Sequence, residues 1–117
     1  MAVSIKRVYD SPAPSDGYRV LIDRLWPRGI SKERAQLDEW ARELAPSTEL
    51  RRWFGHDPAR FEEFRRRYSA ELAGHEEQLA ELRSRADTGN VTLLYAARDT
   101  QHNDAVVIAE VLRQAAR

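Results

Sequence analysis

Two stretches of the chain are apolar at successive positions rather than at alternate ones. They are Tyr18-Arg19-Val20-Leu21-Ile22-Asp23 and Val91-Thr92-Leu93-Leu94-Tyr95-Ala96-Ala97, the second preceded by Gly89-Asn90. Such runs predict strands covered on both faces, as in parallel sheets. A further apolar run, Val3 to Tyr9, is separated from the run Tyr18 to Leu25 by Ser11-Pro12-Ala13-Pro14-Ser15-Asp16-Gly17, whose residues favour turns. Between the strands the spacing becomes helical. Ser31 can cap a helix that begins at Lys32, and Asp57-Pro58 is a cap followed by proline at the first helical position. Phe61, Phe64, Tyr68 and Leu72 recur every three or four positions and form one apolar face, and Leu79, Leu82 and Ala86 continue the pattern up to Gly89. Ala105, Ile108, Ala109 and Leu112 mark a closing helix. Leu37 to Leu44 is open between a helix and a short edge strand. Strand–loop–helix units at both ends predict an α/β fold: a small parallel or mixed sheet of three to four strands covered by helices, in a single domain over residues 1–117.

Composition narrows the function classes. Lys and Arg together number 19, as do Asp and Glu, so no global field draws the chain to nucleic acid or membrane. Cysteine is absent, which removes disulfides, thiolate catalysis and Cys-ligated zinc and fits a reducing cytoplasm. No apolar run approaches bilayer length, and Met1 to Asp10 does not read as a signal peptide, so a soluble cytoplasmic protein is expected. Lys6 and Lys32 are the only lysines, so the cationic chemistry belongs to arginine, whose planar fork suits carboxylate and phosphate.

Ligands of open α/β sheets sit beyond the carboxyl ends of strands, and polar residues gather there in this sequence. One strand runs into Asp23-Arg24-Leu25-Trp26-Pro27-Arg28-Gly29. Pro27 and Gly29 would shape a rigid loop presenting Arg24 and Arg28 to an anion. The competing reading has Trp26 plugging the core while the arginines pair with Asp23 and helix carboxylates; both remain open. The other strand runs into Ala97-Arg98-Asp99-Thr100-Gln101-His102-Asn103. Asp99 is expected to cap the closing helix, which would place His102 in its first turn, where the field favours the neutral imidazole of a general base. A purely capping role for His102 and Asn103 is the plainer alternative. His56, in Trp53-Phe54-Gly55-His56-Asp57, is a second candidate for acid–base work, although a hydrogen bond beside the Asp57 cap is the ordinary expectation. Arg65-Arg66-Arg67 reads as a solvated patch diluted by Glu62, Glu63 and Glu71. No ligand spacing supports a metal, and no cofactor is implied.

These segments resemble a known family. Tyr18 to Gly29, Ala45 to Arg51 with Trp53-Phe54-Gly55-His56-Asp57, and Leu93 to Asp99 with His102-Asn103 are similar to the signature of the YeaO-like proteins, domain-of-unknown-function family 488, over nearly the whole chain. The resemblance implies a bacterial cytoplasmic α/β domain and no particular reaction. Longer relatives carry a cysteine and a Cys-His-Arg motif after the last strand; here Tyr95 and Arg98 to Asn103 occupy that region, so thiol chemistry is not carried over. The leading expectation is binding or processing of a phosphorylated or nucleotide-like anion. Arg24, Arg28, Tyr95, Arg98, Asp99 and Asn103 would form the binding set, and His56 or His102 would carry acid–base function. The alternatives are a nucleic-acid-binding regulator using the arginine-rich helices, and a non-enzymatic interaction module. Neither a membrane nor nucleic acid is the favoured partner, and oligomeric state is not legible.

Overall fold

A computed structural model describes residues 2–114. Four strands, β1 (Ala2–Arg7), β2 (Tyr18–Leu21), β3 (Glu39–Trp40) and β4 (Asn90–Tyr95), pair in parallel in the order β1-β4-β2-β3. The last strand in sequence is thus inserted between the first two, with Val3 opposite Val91 and Val20 opposite Leu93. That central position explains the unbroken apolar run of β4, because both of its faces are covered. Val91, Leu93 and Tyr95, with Val20 and Ile22 from the β2 segment, face the main core. Leu21 and Leu94 face the other side, where Val8, Ile30 and Ala35 pack.

Among the described residues there are five α-helices, α1 (Lys32–Ala35), α2 (Thr48–Phe54), α3 (Phe61–Leu72), α4 (Glu76–Thr88) and α5 (Asp104–Gln114), of which α3, α4 and α5 follow the expected stripes. Ser31 caps α1 and Asp57 caps a 3-10 turn, Pro58–Arg60. Phe61, Phe64, Tyr68 and Leu72 are buried in the main core with Leu79, Leu82, Ile108 and Leu112. The ambiguous segment Leu37 to Leu44 becomes the two-residue edge strand β3 and a 3-10 turn, Arg42–Leu44. Sheet pairing decides it: the Asp38 and Ala41 amides donate to the carbonyls of Arg19 and Leu21, at 2.9 and 2.8 Å. Among the described residues no helix is long and apolar enough to cross a membrane.

One expectation is corrected. Asp99 does not cap the closing helix. Its carboxylate accepts from the Gln101 and His102 amides, at 2.9 and 3.0 Å, which holds that stretch in a turn ahead of the helix. The cap of α5 is Asn103, whose Oδ1 accepts from the Val106 amide at 3.1 Å.

The second face of the sheet also holds a buried polar knot. Asp16 and Arg19 are 7% and 4% exposed, and Arg19 Nη1 donates to Asp16 Oδ2 at 2.5 Å. Lys6 Nζ reaches both Asp16 oxygens at 3.1 Å, and Arg19 spends its remaining donors on the carbonyls of Ala35 and Gln36. Burial alone would push the Asp16 carboxyl up, but the Ala13 amide, Lys6 and Arg19 outweigh it and hold the group below its ordinary value of 3.8. The knot ties the β1–β2 loop to β1 and β2, and Thr92 Oγ1, donating to the Asp16 carbonyl at 2.8 Å, holds that loop against β4. Gly17 completes that approach: its φ is +65°, and a Cβ there would lie 2.3 Å from the Asn90 carbonyl oxygen. Removing the acid strands a buried guanidinium, so Asp16→Ala should lose about 3–5 kcal/mol in urea unfolding at neutral pH. Because the folded-state value is depressed, this contribution is present above pH 3.8 and disappears as pH falls through the folded value. A loss under about 1 kcal/mol, the level of an exposed ion pair, would contradict the assignment.

Candidate functional site

Strands β2 and β4 end side by side, and beyond their carboxyl ends lies a cleft of about 380 Å³. Its position is the one expected for ligands of open parallel sheets. The loop after β2 forms much of the wall and is held from several directions. Trp26 Nε1 donates to the Ile30 carbonyl at 2.8 Å, and its ring meets Trp40 edge-on at 5.4 Å. The Tyr9 hydroxyl donates to the Arg28 carbonyl at 2.9 Å, and Gly29 turns the chain with a φ of +74°. Tyr9, Trp26, Phe54 and Phe64 give the cleft an aromatic lining.

Arg24 is the half-buried arginine of the cleft, whereas Arg28 and Arg51 are exposed. Its Nη2 makes a long contact of 3.4 Å with the Pro46 carbonyl, and its Nε is buried with no hydrogen-bond partner. Among the described residues it forms no ion pair. It also borders a second hollow of about 350 Å³, which Ser47, Tyr68, Glu71 and His75 help to line. Arg28, Arg51 and His56 line the cleft from exposed positions. His56 has a φ of +57° directly after Gly55 at +54°, so two consecutive left-handed residues end α2 and aim the imidazole.

The pairing of Arg24 with Asp23 that the sequence allowed is not formed. Asp23 Oδ2 instead accepts from the Ala96 amide at 2.9 Å, and its carbonyl accepts from Trp40 Nε1 at 2.8 Å. The Asp23 side chain meets that of Asp104, the first residue of α5, and both line the cleft. Burial pushes the Asp104 carboxyl well above its ordinary value, and the charge of Asp23 and the hydrogen bond to it push the same way. Two carboxyl groups in such contact cannot both ionise readily, so the pair retains a proton.

Of the residues expected to form a site, Arg24, Arg28, His56 and Asn103 line this cleft. Asn103 is buried, and besides capping α5 it donates Nδ2 to the Asp99 carbonyl at 2.9 Å. Tyr95, Arg98, Asp99 and His102 lie outside the lining. Tyr95 is buried in the main core, because the alternation of β4 turns it to that face. Arg98 is exposed. His102 Nδ1 sits 2.9 Å from Asp99 Oδ2, and the ring stands edge-on to Phe61 at 5.2 Å. The Gln101 amide first, and then the His102 side chain, lower the Asp99 carboxyl. His102 precedes α5 and is engaged with its own local acid.

Sequence reasoning missed Asp104 altogether, treated Asp23 only as a partner for arginine, and left Arg51 among the background arginines. No local signal pairs the two acids: Asp23 follows the β2 run, whereas Asp104 follows the Asn103 cap well beyond the end of β4. The acid pair has a consequence for stability. With the folded-state value of Asp104 raised, its favourable contribution is complete below the ordinary value of 3.8 and is lost as pH rises through the folded value. Asp104→Asn, which keeps the shape without ionising, should abolish that decline and leave the variant gaining on the parent as pH rises through the folded value. Parallel stability–pH curves for the two proteins would contradict the shared proton.

The model of the inactive DUF488-N3 subclade matches residues 2–117. The "Uncharacterized protein YeaO" of Escherichia coli (strain K12) is 50% identical over 113 residues, covering 97% of this chain and 98% of that protein. The "Uncharacterized protein Rv3073c" of Mycobacterium tuberculosis is 44% identical over 111 residues, covering 94% and 92% respectively. No solved structure matches. With both the subclade model and these full-length relatives in agreement, the chain belongs to the YeaO-like branch of the DUF488 family, within its inactive N3 subclade.

Proposed function

We propose that the protein binds a small phosphorylated or nucleotide-like anion in the cleft beyond β2 and β4, and that it works as a binding domain rather than by turning its ligand over. The observation that carries this reading is Arg24: a guanidinium with a buried, unpartnered Nε, without an acid partner among the described residues, in the wall of a cleft. A buried donor left without an acceptor costs about 1–3 kcal/mol, and a ligand oxygen would recover that cost. Arg28, Arg51 and His56 add positive or donor groups at the rim, where an anion would meet them on entry. The description of the subclade as inactive and the lack of any cysteine favour binding without covalent chemistry. His102, occupied by Asp99, leaves His56 as the histidine of the cleft.

The nucleic-acid alternative finds less support. Arg65 pairs with Glu62 and Glu110, and Arg66 and Arg67 both pair with Glu63, so the triple-arginine stretch presents little free charge. Arg19, saturated within the buried knot, and Arg24, with its unpartnered Nε, differ sharply in their surroundings, and that difference supplies a test. Arg24→Met should be at least as stable as the parent in urea, because no partner is stranded, whereas Arg19→Met should lose about 3–5 kcal/mol through the exposed demand of Asp16. In a thermal-shift series, inorganic phosphate and ribose 5-phosphate should raise the melting temperature of the parent, by about 2.7 kcal/mol of stabilisation at a hundredfold the dissociation constant. Arg24→Met should lose most of that shift. A parent whose melting temperature no anion moves, or an Arg24→Met variant that responds like the parent, would overturn the reading.

A further inference from the structure

The cleft has a second pole that the anion reading leaves unused. Asp23 and Asp104 each commit one oxygen to a backbone amide, Asp23 Oδ2 to Ala96 and Asp104 Oδ1 to Ala105, both at 2.9 Å. The two side chains are hydrogen-bonded neighbours, and both residues line the cleft. Among the described residues neither carboxyl group forms an ion pair with a lysine, arginine or histidine. The nearby titratable and charged groups are Tyr68 from α3, Tyr95 from β4 and Arg24 from the β2 loop, with Glu71 also acting on Tyr68. Burial raises both tyrosines, so both stay neutral hydroxyls, and the proton of the acid pair has no competing owner.

A carboxylic acid beside a carboxylate offers an O–H donor and an oxygen acceptor in one small patch. The complement is a flat edge carrying an N–H donor next to an acceptor, as the amide or amidine edge of a nucleobase does. A sugar phosphate or inorganic phosphate has no such edge. The same cleft is lined by Tyr9, Trp26, Phe54 and Phe64, which suits a planar body. At about 380 Å³ the cleft lies near the small end of the ~300–1,000 Å³ range of ligand sites, the scale of a mononucleotide rather than a dinucleotide. We propose that Asp23 and Asp104 together read the nitrogen-bearing edge of a nucleobase, so that the ligand class of the cleft is a nucleoside monophosphate, its phosphate toward Arg24 and its base on the acid pair. This inference rests on the anion reading of the same cleft.

The test compares three phosphates by calorimetry: CMP, which carries the amidine-type edge; phenyl phosphate, which is flat but lacks it; and ribose 5-phosphate, which is neither flat nor edged. The parent at neutral pH should bind CMP about tenfold or more tighter than phenyl phosphate, within what a bidentate base contact supplies. Raising the pH should erode that advantage as the pair loses its proton. Asp104→Ala should bind the two equally, while Asp104→Asn, which keeps a donor and an acceptor in place, should retain the advantage without its pH dependence. The Asn variant and the pH series of the parent keep the question answerable if the Ala variant does not fold. Equal binding of CMP and phenyl phosphate by the parent would overturn the role of the acid pair and leave the anion reading standing. So would an advantage that survives unchanged in Asp104→Ala or at every pH. Failure of all three phosphates to bind would remove the anion reading itself.

Discussion

Where two neighbouring parallel strands end, the ladder of backbone hydrogen bonds must end with them, and the last amides need other acceptors. In this protein Asp23 meets that need by accepting from the Ala96 amide just past the end of β4. That bond follows the one from the Ile22 amide to the Leu94 carbonyl and extends the pairing of the two strand ends to the point where their loops diverge at the cleft. The same bond turns the Asp23 side chain toward β4 and away from Arg24, the neighbouring residue. Arg24 is thereby left without an acid, and Asp23 is brought against Asp104 at the start of α5. One backbone requirement at the sheet rim thus produces both poles of the candidate site.

The rest of the molecule supports this arrangement from a distance. β4 is central, and its burial from both sides makes the strand ends rigid. The Asp16–Arg19–Lys6 knot ties the β1–β2 loop to the two strands that it connects. The two arginine environments illustrate a division of labour. Arg19 is saturated by a carboxylate and backbone carbonyls and serves stability, whereas Arg24 retains an unsatisfied donor and faces a cleft. Sites that bind ligands commonly hold groups whose demands the fold itself does not satisfy.

Much of the scaffold was legible because it depends on hydrophobic period. The continuous runs of β2 and β4 implied two-sided burial, and the stripe Phe61, Phe64, Tyr68 and Leu72 implied a helix packed on one face. The Leu37 to Leu44 segment was not legible, since its strand character comes from pairing with β2 and not from its own residues. The site was legible in part. Strand ends pointed to the correct rim, and Arg24, Arg28, His56 and Asn103 line the cleft there. Tyr95 was misplaced because alternation along β4 sends it to the core, and His102 because Asp99 holds the chain in a turn before the helix begins. The Asp23–Asp104 contact joins residues remote in sequence, and no local pattern announces it.

Carboxyl carbon NMR of the aspartates across the pH range addresses the acid pair most directly. The account predicts that Asp104 titrates well above its ordinary value of 3.8, raised by burial and by the charge of Asp23 beside it. A titration of Asp104 at the ordinary value of 3.8 would contradict it, and with it the physical basis for the role of the acid pair in the cleft.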